Sequence, residues 1–313
     1  MKTAVVLFPG QGSQCRGMGR DLAEHDQDAM DLWKKAEQVS GLPLREMYWE
    51  GDEAAMNDTK ALQPALTCVN CNLYRRLASS FTPLGFAGHS LGEFSALACA
   101  KVLEFSDVIE LTSVRGELMA GADPQGRGAM AAIVKLPVET VQTIAAEAEA
   151  ESGEMICLAN FNTPAQTVVS GTKKAVELAC SKAKALKGRG VLLKVSAAFH
   201  SPMMDEANRE FQRVLRKKDW HDACAPVYGN VDGKPEVSGQ KLMQKMERQM
   251  ISSVLWNVGI EEQYANAVRA WLEVGPKSLL LKMVELCLGD RKEGCTMYPV
   301  TDLAQVNGFV ATD

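Results

Sequence analysis

Leu84-Gly85-Phe86-Ala87-Gly88-His89-Ser90-Leu91-Gly92-Glu93 carries the pattern G-x-S-x-G between a short apolar run and good helix formers that continue to Val102. A serine so placed sits on a sharp strand-to-helix turn. Its hydroxyl is exposed, and the next backbone N–H is aimed at an incoming carbonyl. The flanking glycines answer the tightness of the turn, where backbones crowd one another. Ser90 therefore reads as a nucleophile on an elbow.

Outward from the elbow, strand and helix signals alternate, which predicts an α/β fold with a largely parallel sheet. Strands are expected at Thr3–Phe8, Gly85–Gly88 and Trp271–Val274, with helices between them that include Pro64 to Ala78 and Asp107 to Met119. The style changes near Gly126-Arg127-Gly128. From there the chain reads as strand (Ala129–Lys135), helix (Pro137–Glu151), strand (Met155–Phe161), strand (Gln166–Gly171), helix (Lys173–Lys187) and strand (Val191–Val195). That βαββαβ order is the ferredoxin-like arrangement. The expected organisation is a catalytic domain of residues 1–127 and 197–313 with a small domain, 128–196, inserted between serine and base.

A nucleophilic serine needs a base, and the chain has four histidines. His25 lies in the acidic stretch Glu24, Asp26, Asp28 and reads as a solvated helix start. His221, between Trp220 and Asp222, reads as surface. His89 adjoins the serine, but neighbouring side chains on a tight elbow diverge, so packing or a local hydrogen bond suits it better. His200 ends an apolar strand in Val195-Ser196-Ala197-Ala198-Phe199-His200-Ser201-Pro202, where Ser201 as N-cap and Pro202 at the first helical position announce a helix. His200 is the expected base.

Pro9-Gly10-Gln11-Gly12-Ser13-Gln14 follows the first strand and lacks the third glycine or the Gly-Lys-Ser/Thr of a phosphate loop. A glycine-flanked loop at a strand's C-terminal end instead suits an oxyanion hole, formed by the N–H groups of Gln11 and Leu91. Arg115, near the end of an apolar helix, needs a partner. Either Glu117 or Glu110 supplies one, or its planar fork grips a substrate carboxylate.

At 313 residues and 46% hydrophobic content the chain can bury a large core, and a net charge of −5 argues against a general nucleic-acid binder. The apolar run in Met1 to Gly10 is too short for a signal peptide, and no stretch approaches a membrane span. The nine cysteines are scattered, which suggests reduced thiols in a cytoplasmic or organellar interior. Cys68-Val69-Asn70-Cys71 is a lone C-x-x-C within an expected helix and reads as core, with no metal site.

Gly10-Gln11-Gly12-Ser13-Gln14, Gly88-His89-Ser90-Leu91-Gly92-Glu93, Arg115-Gly116, Gly128-Ala129-Met130-Ala131-Ala132 and Phe199-His200-Ser201 occur in an order that resembles the malonyl-CoA:acyl-carrier-protein transacylases of fatty acid and polyketide synthesis. The resemblance covers nearly the whole chain. It implies an α/β-hydrolase-like large domain, a ferredoxin-like small domain and a Ser–His dyad without the usual acid. It assigns the histidine-orienting backbone carbonyl to Gln249, the malonyl carboxylate to Arg115, and acyl-pocket positions to Gln63 and Asn160. Phe199 matches a residue that goes with malonyl over methylmalonyl. Two departures stand out. Ser253-Val254-Leu255-Trp256 has Leu255 in place of a familiar arginine, and Gly275-Pro276-Lys277 has a lysine in place of a more usual glycine.

The implied reaction is ping-pong transfer of malonyl from malonyl-CoA through Ser90 to the phosphopantetheine thiol of an acyl carrier protein. No permanent cofactor is expected, and the chain is expected to act as a monomer. Carrier proteins of this kind are acidic, which draws attention to two basic runs. One is Lys173, Lys174, Lys182, Lys184, Lys187, Arg189 and Lys194, with only Glu177 opposing; the other is Arg213, Arg216, Lys217 and Lys218. The alternatives are an acyl-thioester hydrolase of the same fold and a non-catalytic module that docks carrier proteins.

Overall fold

The computed structural model describes residues 2–311; Met1, Thr312 and Asp313, the outer residues of the expected catalytic domain, lie outside them. Two sheets organise the chain. The first has the order β10-β9-β1-β2-β7-β8, built from β1 (Lys2–Phe8), β2 (Phe81–Gly88), β7 (Val227–Tyr228), β8 (Pro235–Glu236), β9 (Ala270–Val274) and β10 (Thr296–Val300). All neighbours are parallel except β7 and β8. Its central strand, β1, is the near-continuous apolar run Ala4 to Phe8, buried on both faces as a covered parallel strand must be.

The second sheet is antiparallel, with the order β4-β5-β3-β6, built from β3 (Gly128–Val134), β4 (Ile156–Thr163), β5 (Gln166–Thr172) and β6 (Arg189–Leu192). Helices Val138–Ser152 and Lys173–Ala185 make the two crossovers, which gives the ferredoxin-like fold beside the α/β-hydrolase-like one. Strand alternation sorts its residues by function. Ala131, Ile133 and Val169 pack on the two helices, whereas Met130, Ala132 and Val168 face the cleft between the sheets.

Several elements depart from expectation. β6 is shorter than Val191–Val195 and ends at Leu192. Leu193 still donates to the Met130 carbonyl, but Val195 N turns back on the Leu193 carbonyl, so the chain leaves the sheet and enters the cleft. His200 accordingly follows an irregular segment, not a strand. The helix expected from Pro64 begins at Thr59, capped by Asp58, and runs to Leu77 with Pro64 inside it. Pro64 cannot donate to the Lys60 carbonyl, and that carbonyl faces Gly116 of helix Phe105–Gly121, where a Cβ would stand 3.1 Å away. The Gln63-Pro64 and Arg115-Gly116 pairs therefore mark one close helix crossing. His25 ends a short helix, Arg20–His25, and is exposed; His221 is exposed as expected.

Candidate active site

Ser90 lies between the end of β2 and the start of helix Gly92–Cys99, with φ +51°. At Gly88 a Cβ would stand 2.0 Å from the Gly92 carbonyl carbon, so the turn admits only glycine there. Both ends of the serine are pinned. Its N–H donates to Asn230 Oδ1 at 2.7 Å, and its carbonyl accepts from Gln249 Nε2 at 2.8 Å. Asn230 Nδ2 also donates to the Gly88 carbonyl at 2.7 Å.

The Ser90 hydroxyl and His200 Nε2 are 2.7 Å apart. His200 Nδ1 faces two carbonyls, those of Gln249 and Ser252, each at 3.1 Å. Carbonyls only accept, so Nδ1 carries the proton and Nε2 is left to accept from the serine. The orienting group is thus a pair of backbone oxygens, with no carboxylate in the role among the described residues. Burial, and then the nearby Arg115 charge, push the His200 pKa down to about 3, against the opposing pull of its carbonyl bonds. His200 is a neutral base at ordinary pH. Like Ser90 it is left-handed, at φ +55°, a conformation that costs non-glycine residues about 1–3 kcal/mol.

The Pro9–Gln14 loop comes against the elbow. A Cβ on Gly10 would stand 2.4 Å from the His89 carbonyl oxygen and 3.6 Å from the Leu91 nitrogen. Gln11 and Leu91 line the same cavity, and neither N–H has an acceptor among the described residues. Ser13 closes the loop by bonding the Gly10 carbonyl through both N–H and hydroxyl.

Arg115 is 1% exposed. Neither acidic candidate reaches it: Glu117 pairs with Lys60, and Glu110 with Lys218 and Lys35. Arg115 Nη1 donates to Gln63 Oε1 at 2.8 Å and Nη2 to Gln249 Oε1 at 3.0 Å, with Ser90 Oγ 3.4 Å from Nη2. Its buried Nε has no partner among the described residues, and its charge lies over the Phe94 ring. Burial lowers its pKa to about 10, opposed by Glu93. Glu93, 1% exposed, accepts from Gln249 Nε2 at 3.0 Å and from Asn230 N at 3.1 Å, and burial raises its pKa to about 7.

These residues surround a cavity of about 200 Å³. Met119, Met130, Val168 and Phe199 form an apolar side, while Gln63, Asn160 and Arg115 give it polar corners. The sequence reading brought together Ser90, His200, Gln11, Leu91, Arg115, Gln63, Asn160, Phe199 and the Gln249 backbone. It missed Asn230, Asn162, Ser252, Glu93 and the Gln249 side chain. Glu93 had a visible signal, as an acid in an otherwise apolar helix; Asn230 and Ser252 lie in loops, while nothing separates Asn162 on β4 or Gln249 at the end of helix Gly239–Gln249 from their polar neighbours. His89, expected to bond locally, reaches across to Asn162 Oδ1 on β4 at 2.8 Å and packs near Trp256.

Segment 252–254 ties the small domain to the large one. Val254 N donates to the Ala159 carbonyl, Phe161 N to the Val254 carbonyl, and Ser253 Oγ to the Leu158 carbonyl. The Leu255 departure is absorbed here, since its backbone N–H donates to the Asn230 carbonyl. Lys277 is exposed and donates to the Gln14 carbonyl at 2.9 Å.

The basic runs need correction. Lys182 is paired with Glu147 and Glu151 from the neighbouring helix, so Glu177 is not its only opponent. In the second run Arg213, Arg216 and Lys218 are each paired with carboxylates, which leaves the exposed Lys217 alone without one among the described residues. Lys184, Lys187 and Arg189 remain exposed with no carboxylate partner among the described residues. Cys68 and Cys71 are buried core side chains.

Residues 5–305 match the acyl transferase domain family. A malonyl CoA-acyl carrier protein transacylase of Haemophilus influenzae is 36% identical over 311 residues, covering 98% of each chain. The enzyme of that name from Bacillus subtilis is 37% identical over 91% of this chain and 90% of its own. Among solved structures, a malonyl-transacylase in complex with its type II polyketide-synthase acyl carrier protein superposes with a TM-score of 0.92, at 32% identity and 100% coverage of both chains. An acyl carrier protein S-malonyltransferase of Vibrio cholerae superposes at 0.90, with 34% identity over 98% of this chain and 99% of its own. Agreement along essentially the full length, in sequence and in backbone, means that the chain belongs to the acyl transferase family, among the malonyl CoA-acyl carrier protein transacylases.

Proposed function

We propose that this chain transfers a malonyl group from malonyl-CoA to the phosphopantetheine thiol of an acyl carrier protein through a malonyl-Ser90 intermediate. In the first half-reaction His200 Nε2 takes the Ser90 proton as Oγ bonds to the thioester carbon. The N–H groups of Gln11 and Leu91 receive the oxyanion. Collapse breaks the C–S bond, and His200 returns the proton to the departing coenzyme A thiolate. The carrier thiol then gives its proton to His200, attacks the malonyl ester and regenerates the Ser90 hydroxyl. Every proton and every developing charge is handled by a named protein group, so the chemistry needs no cofactor.

The observation that carries this reading is the Arg115 fork, buried, without a carboxylate partner among the described residues and 3.4 Å from Ser90 Oγ. A malonyl carboxylate would supply the missing anion and leave the thioester over the serine; an acetyl group would leave the charge unpaired. Gln63 shapes the fork, Asn160 offers a polar corner, and Phe199 beside the base occupies the space an α-methyl needs. The domain division at 127/128 and 196/197 puts the serine and the histidine on the large domain, with the small domain roofing the pocket. Lys184, Lys187 and Arg189 form the cationic ground for an acidic carrier. No described helix is long and apolar enough to cross a membrane, and nine free cysteines suit a reducing compartment, the cytoplasm or an organelle stroma.

Intact mass after brief mixing with malonyl-CoA tests the reading. A malonyl adduct that Ser90→Ala abolishes and that carrier thiol removes is the expected result. Steady release of free malonate without an adduct would make the protein a hydrolase. No adduct and no turnover would leave a docking module.

A further inference from the structure

Glu93 is buried one helical turn beyond the nucleophile, and the reaction just described gives it no task. Its two oxygens have different partners: Oε1 accepts from Asn230 N at 3.1 Å, and Oε2 from Gln249 Nε2 at 3.0 Å. The second contact decides the orientation of an amide. Gln249 Nε2 can only donate, and it faces two acceptors, the Glu93 carboxylate and the Ser90 carbonyl. Gln249 Oε1 is thereby turned to Arg115 Nη2, at 3.0 Å. Reversing the amide would set donors against the guanidinium and an oxygen against the carboxylate.

A neutral amide thus stands between the buried cation and the buried acid. Direct contact would make a buried ion pair, which is costly to open once formed because separation leaves two charges desolvated. Through the amide, Arg115 is held in place by a dipole while its charge stays available. The same amide grips the Ser90 carbonyl, and the same residue's backbone oxygen accepts from His200.

We propose that Glu93 is a positioning residue: by fixing the Gln249 amide, it holds the Arg115 fork open as the receptor for the acyl carboxylate and in register with the Ser90 elbow. This rests on the acyl-transfer reading above. The test compares wild type with Glu93→Gln for loading from malonyl-CoA and for slow residual loading from acetyl-CoA, which has no carboxylate to place. The Glu93→Gln amide has one acceptor oxygen for two donors, Asn230 N and Gln249 Nε2, so it cannot hold both. The expected result is a fall in malonyl kcat/KM of about tenfold or more, carried mainly by KM, with acetyl loading changed by less than about threefold. Glu93→Asp, which keeps the carboxylate but withdraws it from the Gln249 amide, is expected to give the same split in weaker form. It also answers the question if Glu93→Gln fails to fold. Equal losses for both acyl groups, or no loss for either, would overturn the proposal. A wild type that never carries malonyl on Ser90 would overturn the function reading and this inference together. A wild type that loads, with variants that show no split, would overturn the inference alone.

Discussion

Arg115 Nη2 lies 3.4 Å from Ser90 Oγ, and no carboxylate meets that guanidinium among the described residues. A buried cation held by neutral groups (two amides, a hydroxyl and an aromatic face) costs stability, and the fold retains it beside the nucleophile. Removing it tests that relationship. Arg115→Ala should lower malonyl loading by roughly 10²-fold, the worth of a charge-assisted hydrogen-bond contact of about 3 kcal/mol. Acetyl loading should gain relative to malonyl. Intact-mass loading rates with the two thioesters give the ratio directly.

The depressed His200 pKa has a visible sign in the pH profile. The group titrates near 3 in the folded enzyme, below its ordinary value of 6.5, so the neutral base is already present at pH 5. Loading kcat/KM from acetyl-CoA, which does not use the fork that Glu93 holds, should therefore lack an acid limb near 6.5. In Arg115→Gln the neighbouring charge is gone and the limb should move up in pH. Stability follows the same linkage. The contribution of the neutral buried imidazole is complete above 6.5 and is lost as pH falls from there toward 3. Urea titrations across that window read it.

Gly10→Ala would force a Cβ to 2.4 Å from the His89 carbonyl oxygen, so the Pro9–Gln14 loop must move away from the elbow. Displacing one oxyanion donor should cost about 10²-fold in kcat. Malonyl-CoA KM should change far less. A steady-state comparison, with thermal melting to verify the fold, separates the two.

Charge reversal at Lys184, Lys187 and Arg189 should raise KM for the carrier protein severalfold and flatten or reverse its rise with salt. Loading from malonyl-CoA should stay as in wild type, because none of the three lines the cavity. Unchanged carrier kinetics would remove this face from docking.

Local patterns made the elbow and most of the fold readable. G-x-S-x-G marks its own turn, and apolar runs mark β1, β3 and the helix through Arg115. The base emerged by elimination among four histidines. Asn230 could not be found this way. Its contact with Ser90 joins residues 140 apart, and a single asparagine in a loop has no period to betray it. The end of β6 failed for the opposite reason. Val191 to Val195 looks like strand, yet Leu193 and Val195 are apolar because they line the cleft, a tertiary demand that imitates a local one. The Gln249 carbonyl was available only through resemblance, since a backbone group has no side-chain signature.

The stitching of segment 252–254 to β4 bears on how this architecture can be recombined. The Ser252 carbonyl that steadies His200 directly precedes Ser253 and Val254, which bond the Leu158, Ala159 and Phe161 backbone of the inserted domain. The insert is therefore not an interchangeable cassette. A chimera that grafts the ferredoxin-like part of a relative onto this chain must bring a matching partner for residues 253 and 254. Without it, a donor chosen for its acyl pocket would unsettle a proton acceptor that lies outside the graft.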